Sequence, residues 1–120
     1  MPQQRIPVSI EILADMETPL SVFKKLGNQP FSYLFESVEG GEKWARYSLI
    51  GLPSSTVIKV FNKDIKIWED GQIVEELTSK DPLKFLEEYQ ENIKVKLNDD
   101  LPMFTGGLVG YLGYDCIRYI

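Results

Sequence analysis

The run FSYLFESVEGGEKWARYSLIG, residues 31–51, constrains the fold of this chain more than any other stretch. Two β-prone apolar runs flank a glycine-rich, charged corner, and the local solution is an antiparallel hairpin. Each run carries one ion, Glu36 in the first and Arg46 in the second. Burying either charge unpaired is costly, so each needs a partner. With Gly40-Gly41-Glu42 as the loop, pairing centres on Gly41. Val38 then faces Trp44, Ser37 faces Ala45, and Glu36 stands opposite Arg46. A slip of one residue would send the two charges to opposite faces. Alternation places Phe31, Tyr33, Phe35 and Ser37 on one face and Ser32, Leu34, Glu36 and Val38 on the other. Both faces are mostly apolar, which implies a central strand covered on both sides.

Around this run the pattern reads as short strands and capped helices. Residues 7–14 (PVSIEILA) predict a strand. Thr18 followed by Pro19 is a helix start, and the apolar spacing Leu20, Phe23, Leu26 carries a short helix to Gly27-Asn28. Residues 55–61 and 64–68 alternate as strands, and Asp70-Gly71 is a two-residue hairpin signal returning through Gln72–Leu77. Asp81-Pro82 repeats the cap-then-proline start. Leu83, Phe85, Leu86, Tyr89 and Ile93 then mark an amphipathic helix. Residues 94–102 read as a polar loop, 106–112 as a small-residue strand, and Tyr114 onward as a helix start. The fold class is α+β: mainly antiparallel sheet with hairpins and two or more packed helices. The run LVGYLGYDCIRYI (108–120) is apolar and aromatic where termini are usually polar. It reads as a cut through a core, so the sequence is expected to be a truncated part of a larger two-layer α/β domain.

Composition narrows the chemistry. With 120 residues, 43% of them hydrophobic and 26% charged, the chain is one domain in size and globular rather than disordered in composition. Its net charge of −5, with no basic block, points away from nucleic acid. No apolar run approaches the ~20 residues that span a bilayer, which points away from a membrane. The N-terminus lacks a secretory signal. A single cysteine, Cys116, permits no internal disulfide and suits the cytoplasm. With no histidine, the chain holds no Ser-His or Cys-His pair and no histidine metal ligand.

Four constellations carry candidate chemistry. Glu36, Ser37 and Arg46 have two readings. One is a plain cross-strand salt bridge with Ser37 as filler. The other is a small amino-acid site in which Glu36 takes an ammonium while Arg46 and Ser37 take a carboxylate. Trp44, Phe35 and Tyr47 would supply its apolar wall. In the side-chain reading Ser37 lies on the face away from Glu36 and Arg46, so its hydroxyl joins them only if the strand bends there. Gly106, Gly107, Gly110 and Gly113 lack the lysine and hydroxyl of a phosphate loop and read as close backbone approach in a buried strand. Asp99-Asp100 and Glu87-Glu88-Glu91 have no metal-cage spacing and read as solvated charge. Cys116 reads as a small core residue.

The core ESVEGGEKWARYS, supported by ETPLSVFKKL (17–26) and GGLVGYLGYD (106–115), resembles the N-terminal signature of the anthranilate synthase large subunit, a chorismate-using enzyme family. The resemblance runs from about Pro7 onward. It implies that residues 1–120 are an N-terminal regulatory and architectural domain fragment, and that the chorismate-binding catalytic portion is absent. The parent enzyme would make anthranilate and pyruvate from chorismate and an amine source, with Mg²⁺ bound outside this fragment. No catalytic residue is expected here, and the fragment alone is expected to be inactive. In the family a leucine-leucine-glutamate-serine segment forms part of the feedback site for L-tryptophan. The matching residues are Leu34, Phe35, Glu36 and Ser37, with phenylalanine where the family often has leucine. Arg46 falls at a basic position near the inhibitor. A glutamine amidotransferase subunit is the implied protein partner. The nearest alternative is the related aminodeoxychorismate synthase component. A free-standing amino-acid-binding module and a purely structural domain are the others.

Overall fold

A computed structural model describes residues 3–36, 47–96, 101 and 106–119. Among these the element order is β1 (Gln3–Arg5), α1 (Pro19–Leu26), β2 (Tyr33–Glu36), β3 (Ser48–Gly51), β4 (Thr56–Phe61), β5 (Asp64–Glu69), β6 (Gln72–Thr78), α2 (Pro82–Glu91) and β7 (Ile93–Val95). A 3₁₀ helix follows at Tyr114–Tyr119. The class is α+β, as the pattern implied. Two compact units divide the described residues. One takes those of 12–59 and 66–76, the other those of 1–11, 60–65 and 77–120.

In the first unit, α1 starts where a threonine and a proline are adjacent. Thr18 Oγ1 accepts the Ser21 N–H at 3.1 Å, and Ser21 Oγ accepts the Thr18 N–H at 2.9 Å. This is a reciprocal capping box with serine in the place usually held by glutamate or glutamine. Glu17 closes over it. Its carboxylate accepts Ser21 Oγ–H at 2.5 Å and a charge-assisted hydrogen bond from Lys25, two turns along. Lys25 first, and Ser21 second, hold the Glu17 carboxyl below its ordinary 4.5. The helix ends at Gly27, whose N–H donates to the Phe23 carbonyl at 2.8 Å.

The chain then makes a tight turn. Ser32 N–H donates to the Gln29 carbonyl at 3.3 Å, with Pro30 second and Phe31 third in the turn. Phe31 has φ 64. That left-handed position favours glycine, and a β-carbon there costs roughly 1–2 kcal/mol. β2 follows and pairs antiparallel with β3 in the register Tyr33↔Gly51, Leu34↔Ile50, Phe35↔Leu49, Glu36↔Ser48. The expected pairing of Glu36 with Arg46 is therefore corrected: Glu36 stands opposite Ser48, an offset of two residues. The reason is steric. The Tyr33 ring lies over Gly51, and a β-carbon on residue 51 would sit 1.9 Å from Tyr33 Cε1. Centring on Gly41 would have set Leu49 against that ring instead. Among the described residues β2 has one neighbour, β3, so the expectation of a central strand is also corrected.

The strands β4, β5 and β6 form a meander in that order. Its second turn is Asp70-Gly71, with φ 52 and 81. Two successive left-handed residues match the right-handed twist of the flanking strands. Its first turn uses Asn62 at φ 55, an asparagine tolerating the same geometry. β5 lies in the middle, and its alternation buries Ile65 (0% exposed) and Ile67 (4%) on one face.

In the second unit, Asp81 caps α2 by accepting the Lys84 N–H at 3.2 Å, and Pro82 sits fully buried at the first helical position. Leu83, Phe85, Leu86, Tyr89 and Ile93 are each half-buried, while Lys84, Glu87, Glu88 and Glu91 face solvent. Phe85 and Tyr89, one turn apart, place their rings 6.3 Å from each other. β7 follows at once and pairs in parallel with β1. Lys96 N–H extends that ladder to the Arg5 carbonyl at 3.1 Å.

Two expected strands are absent. Residues 7–14 form no strand, and Val8, Ile10 and Ile12 are 95%, 88% and 74% exposed. Their alternation marks a strand face, but a strand forms only against a partner, and no described element supplies one. Residues 106–112 are likewise irregular and exposed. Gly106 and Gly107 adopt φ 131 and 149, and no atom comes within 4 Å of a β-carbon built on Gly106, Gly110 or Gly113. The first two glycines serve backbone conformation rather than close packing. The expected loop at 94–102 begins later than its pattern implied, because β7 extends to Val95. Cys116 is a half-buried free thiol. The charged pair Asp99-Asp100 lies outside the described residues.

Gly51→Ala should lower stability by about 1–3 kcal/mol through overpacking, read as a shift in denaturant midpoint. In a Tyr33→Ala background the same change should cost little, because the clash is with that ring. The clasp at α1 gives a pH dependence with a definite sign. Glu17 has a depressed folded pKa, so its contribution is full above about pH 4.5 and is lost as pH falls through the lower folded value. NMR titration of the Glu17 carboxyl should show that depression, and Lys25→Met should shrink it.

Candidate functional site

β2 positions the residues singled out by the sequence. Successive side chains on a strand point to opposite faces. Glu36 therefore shares a face with Leu34, Ser48 and Ile50, while Phe35 shares the other with Tyr33, Leu49 and Gly51. The Tyr33 and Phe35 rings pack with centroids 5.0 Å apart, and the Tyr33 ring covers Gly51. Phe35 is half exposed and Glu36 exposed. Among the described residues the Glu36 carboxylate makes no hydrogen bond or ion pair. Its cross-strand neighbour Ser48 is an exposed polar residue rather than a cation. A carboxylate in that setting can receive a ligand ammonium without first breaking a described protein contact.

Phe35 and Glu36 are thus adjacent but divergent. A ligand held by the Glu36 side chain lies on one face of the hairpin, and one held by the Phe35 ring lies on the other. Ser37, Arg46 and Trp44, together with the Gly40-Gly41-Glu42 corner, fall outside the described residues. The bend expected at Ser37 falls outside them too.

Sequence reasoning missed a second arrangement in the same unit. The Lys59 ammonium stands 5.7 Å from the Phe31 ring centroid and 5.2 Å from that of Trp68. The signal was slight: Lys59 is the one cation in the run STVIKVF, on the exposed face of β4.

Known proteins resemble almost the whole of this chain. The chain is 55% identical over 116 residues to anthranilate synthase component 1 of Pseudomonas putida, covering 97% of the chain and 24% of that relative. It is 49% identical over 113 residues to the same component from Neisseria meningitidis serogroup B, covering 94% and 23%. To that of Acetivibrio thermocellus it is 42% identical over 114 residues, covering 95% and 23%. The chain is similar to part of anthranilate synthase component 1. It spans about a quarter of the length of these curated relatives. The resemblance read from ESVEGGEKWARYS is thereby borne out. No family model matches the chain, and no solved structure does.

An exposed carboxylate without a described partner contributes little to folding. Glu36→Gln should therefore change the unfolding free energy by less than about 0.5 kcal/mol. A loss above 1 kcal/mol would mean that Glu36 is a structural ion-pair member.

Proposed function

We propose that this chain is the N-terminal, regulatory part of an anthranilate synthase large subunit, and that its own task is to bind L-tryptophan beside Glu36. Support for this reading comes from one conjunction: similarity to component 1 over almost the whole chain, and a carboxylate on β2 that is exposed and unpaired among the described residues. Glu36 takes the ammonium of tryptophan. Ser37 and Arg46 take its carboxylate, and Phe35 flanks the site in sequence from the opposite face of β2. The intact enzyme would convert chorismate and ammonia or glutamine to anthranilate and pyruvate, with a glutamine amidotransferase subunit supplying nitrogen. Its setting would be the cytoplasm; no helix among the described residues is long and apolar enough to cross a membrane.

The chemistry would lie in the length of the relatives that this chain does not span. No cluster of three or more His, Cys, Asp or Glu side chains that could hold a metal ion occurs among the described residues. Feedback then requires that tryptophan bind one arrangement of the enzyme more tightly than another. The exposed site on β2 supplies the binding half of that coupling.

In the intact protein, Glu36→Ala and Ser37→Ala should each weaken inhibition by tryptophan about tenfold or more, the scale of a lost charge-assisted contact. Uninhibited anthranilate formation, followed by product fluorescence, should be unchanged. Unaltered inhibition in both variants would overturn the assignment. Mass identification of the product separates anthranilate from aminodeoxychorismate. The 120-residue chain alone should form no anthranilate, and tight tryptophan binding by it in calorimetry would favour a free-standing binding module.

A further inference from the structure

Phe31, Ser54, Ser55, Val57, Lys59, Trp68, Asp70 and Gly71 line a solvent-open depression of about 160 Å³ within the first unit. Its wall carries three hydrogen-bond donors, of which Lys59 and Ser55 are exposed to solvent and one, the Trp68 indole nitrogen, is buried. The Trp68 indole nitrogen is buried with no partner. The Lys59 ammonium contacts only the two aromatic rings, with no carboxylate opposite it. Ser55 Oγ has no described partner either, whereas the Ser54 hydroxyl proton is spent on the Thr56 carbonyl at 2.8 Å. A buried indole N–H without an acceptor costs on the order of 1–3 kcal/mol, so such a group generally has a purpose or a missing partner.

The backbone is strained at the same place. Phe31 holds a left-handed φ in a turn position that favours glycine, and its carbonyl is pinned by Ser54 N–H at 3.1 Å. The strain brings an aromatic ring to the wall of the depression, where glycine would bring none. Strain kept at a ligand-sized depression points to binding. Asp70 also lines the depression, and its repulsion weighs more heavily on a doubly charged anion than on a singly charged one.

We infer that this depression is a binding site for a small monocarboxylate with an apolar body, its carboxylate accepting from Lys59 and the Trp68 indole and its body lying against Phe31 and Val57. The size fits, since an apolar cavity of roughly 150 Å³ admits one benzene ring. The site is separate from the one assigned to tryptophan and does not rest on that reading.

Benzoate is the probe. In the intact protein labelled with ¹⁵N-indole tryptophan, the Trp68 resonance, assigned by its loss in Trp68→Phe, should move saturably on titration. Chloride at matched ionic strength and inorganic phosphate should leave it unmoved. Lys59→Met should weaken benzoate binding about tenfold or more. Phe31→Gly relieves the backbone strain while removing the wall, so it should keep or raise stability and still weaken benzoate. Glu36→Ala should leave benzoate affinity unchanged. No saturable shift, an equal response to chloride or phosphate, or undiminished binding in Lys59→Met would overturn the proposal. Calorimetry with benzoate on the wild-type, Lys59→Met and Phe31→Gly proteins decides the matter even if Trp68→Phe fails to fold.

Discussion

The seating of the Tyr33 ring over Gly51 fixes what the rest of the β2–β3 hairpin can do. A strand pair has many registers in principle, and a two-residue shift keeps every side chain on its own face. Hydrophobic alternation therefore cannot choose between them. The ring can choose, because a β-carbon on residue 51 would come 1.9 Å from it. With Tyr33 set against glycine, Glu36 is set against Ser48. The carboxylate that a simple count from the glycine corner pairs with a guanidinium meets a hydroxyl residue instead. A packing contact at one end of the hairpin thus decides the electrostatics at the other.

What the sequence made legible were features governed by local chemistry. Thr18-Pro19 and Asp81-Pro82 start helices because a side-chain oxygen and a fixed φ act within one turn. Asp70-Gly71 turns a hairpin because both residues adopt positive φ, and the half-buried face of α2 is the one its spacing named. Features that depend on a distant partner were illegible. Val8, Ile10 and Ile12 alternate like a strand, yet pairing is decided by what lies beside them. The polar Gln3–Arg5 does form a strand, since Ile93–Val95 is there to receive it. At the site, sequence placed Glu36 and Phe35 on opposite faces correctly, because parity is local. It paired Glu36 with the wrong residue, because register is not.

Phe31 shows the same division from the other side. The dipeptide Pro30-Phe31 gives proline its usual second place in a turn but puts a bulky residue where glycine is favoured. No propensity would choose it, so the conformation is held by longer-range contacts: the Ser54 amide on its carbonyl and the Lys59 ammonium at its ring. A residue retained against local preference, beside a cation and a buried indole nitrogen without an acceptor, is where sequence rules are expected to fail for functional reasons. Lys59 was visible in the sequence only as the one cation in its run; its meaning required Trp68 beside it.

The two candidate sites solve one physical problem in different ways. Glu36 stays in water, so it incurs no desolvation in the free protein and gives a ligand ammonium a modest, salt-sensitive contact. Discrimination there has to come from the surfaces around it. The Trp68 indole nitrogen is buried, so its unmet donor is a standing penalty that any fitting acceptor removes. Binding there would stabilise the first unit as well as hold the ligand, because relief of the penalty belongs only to the folded state. A regulator read at Glu36 would thus act through an equilibrium between arrangements, whereas a carboxylate held at Lys59 and Trp68 would act through the stability of the unit itself.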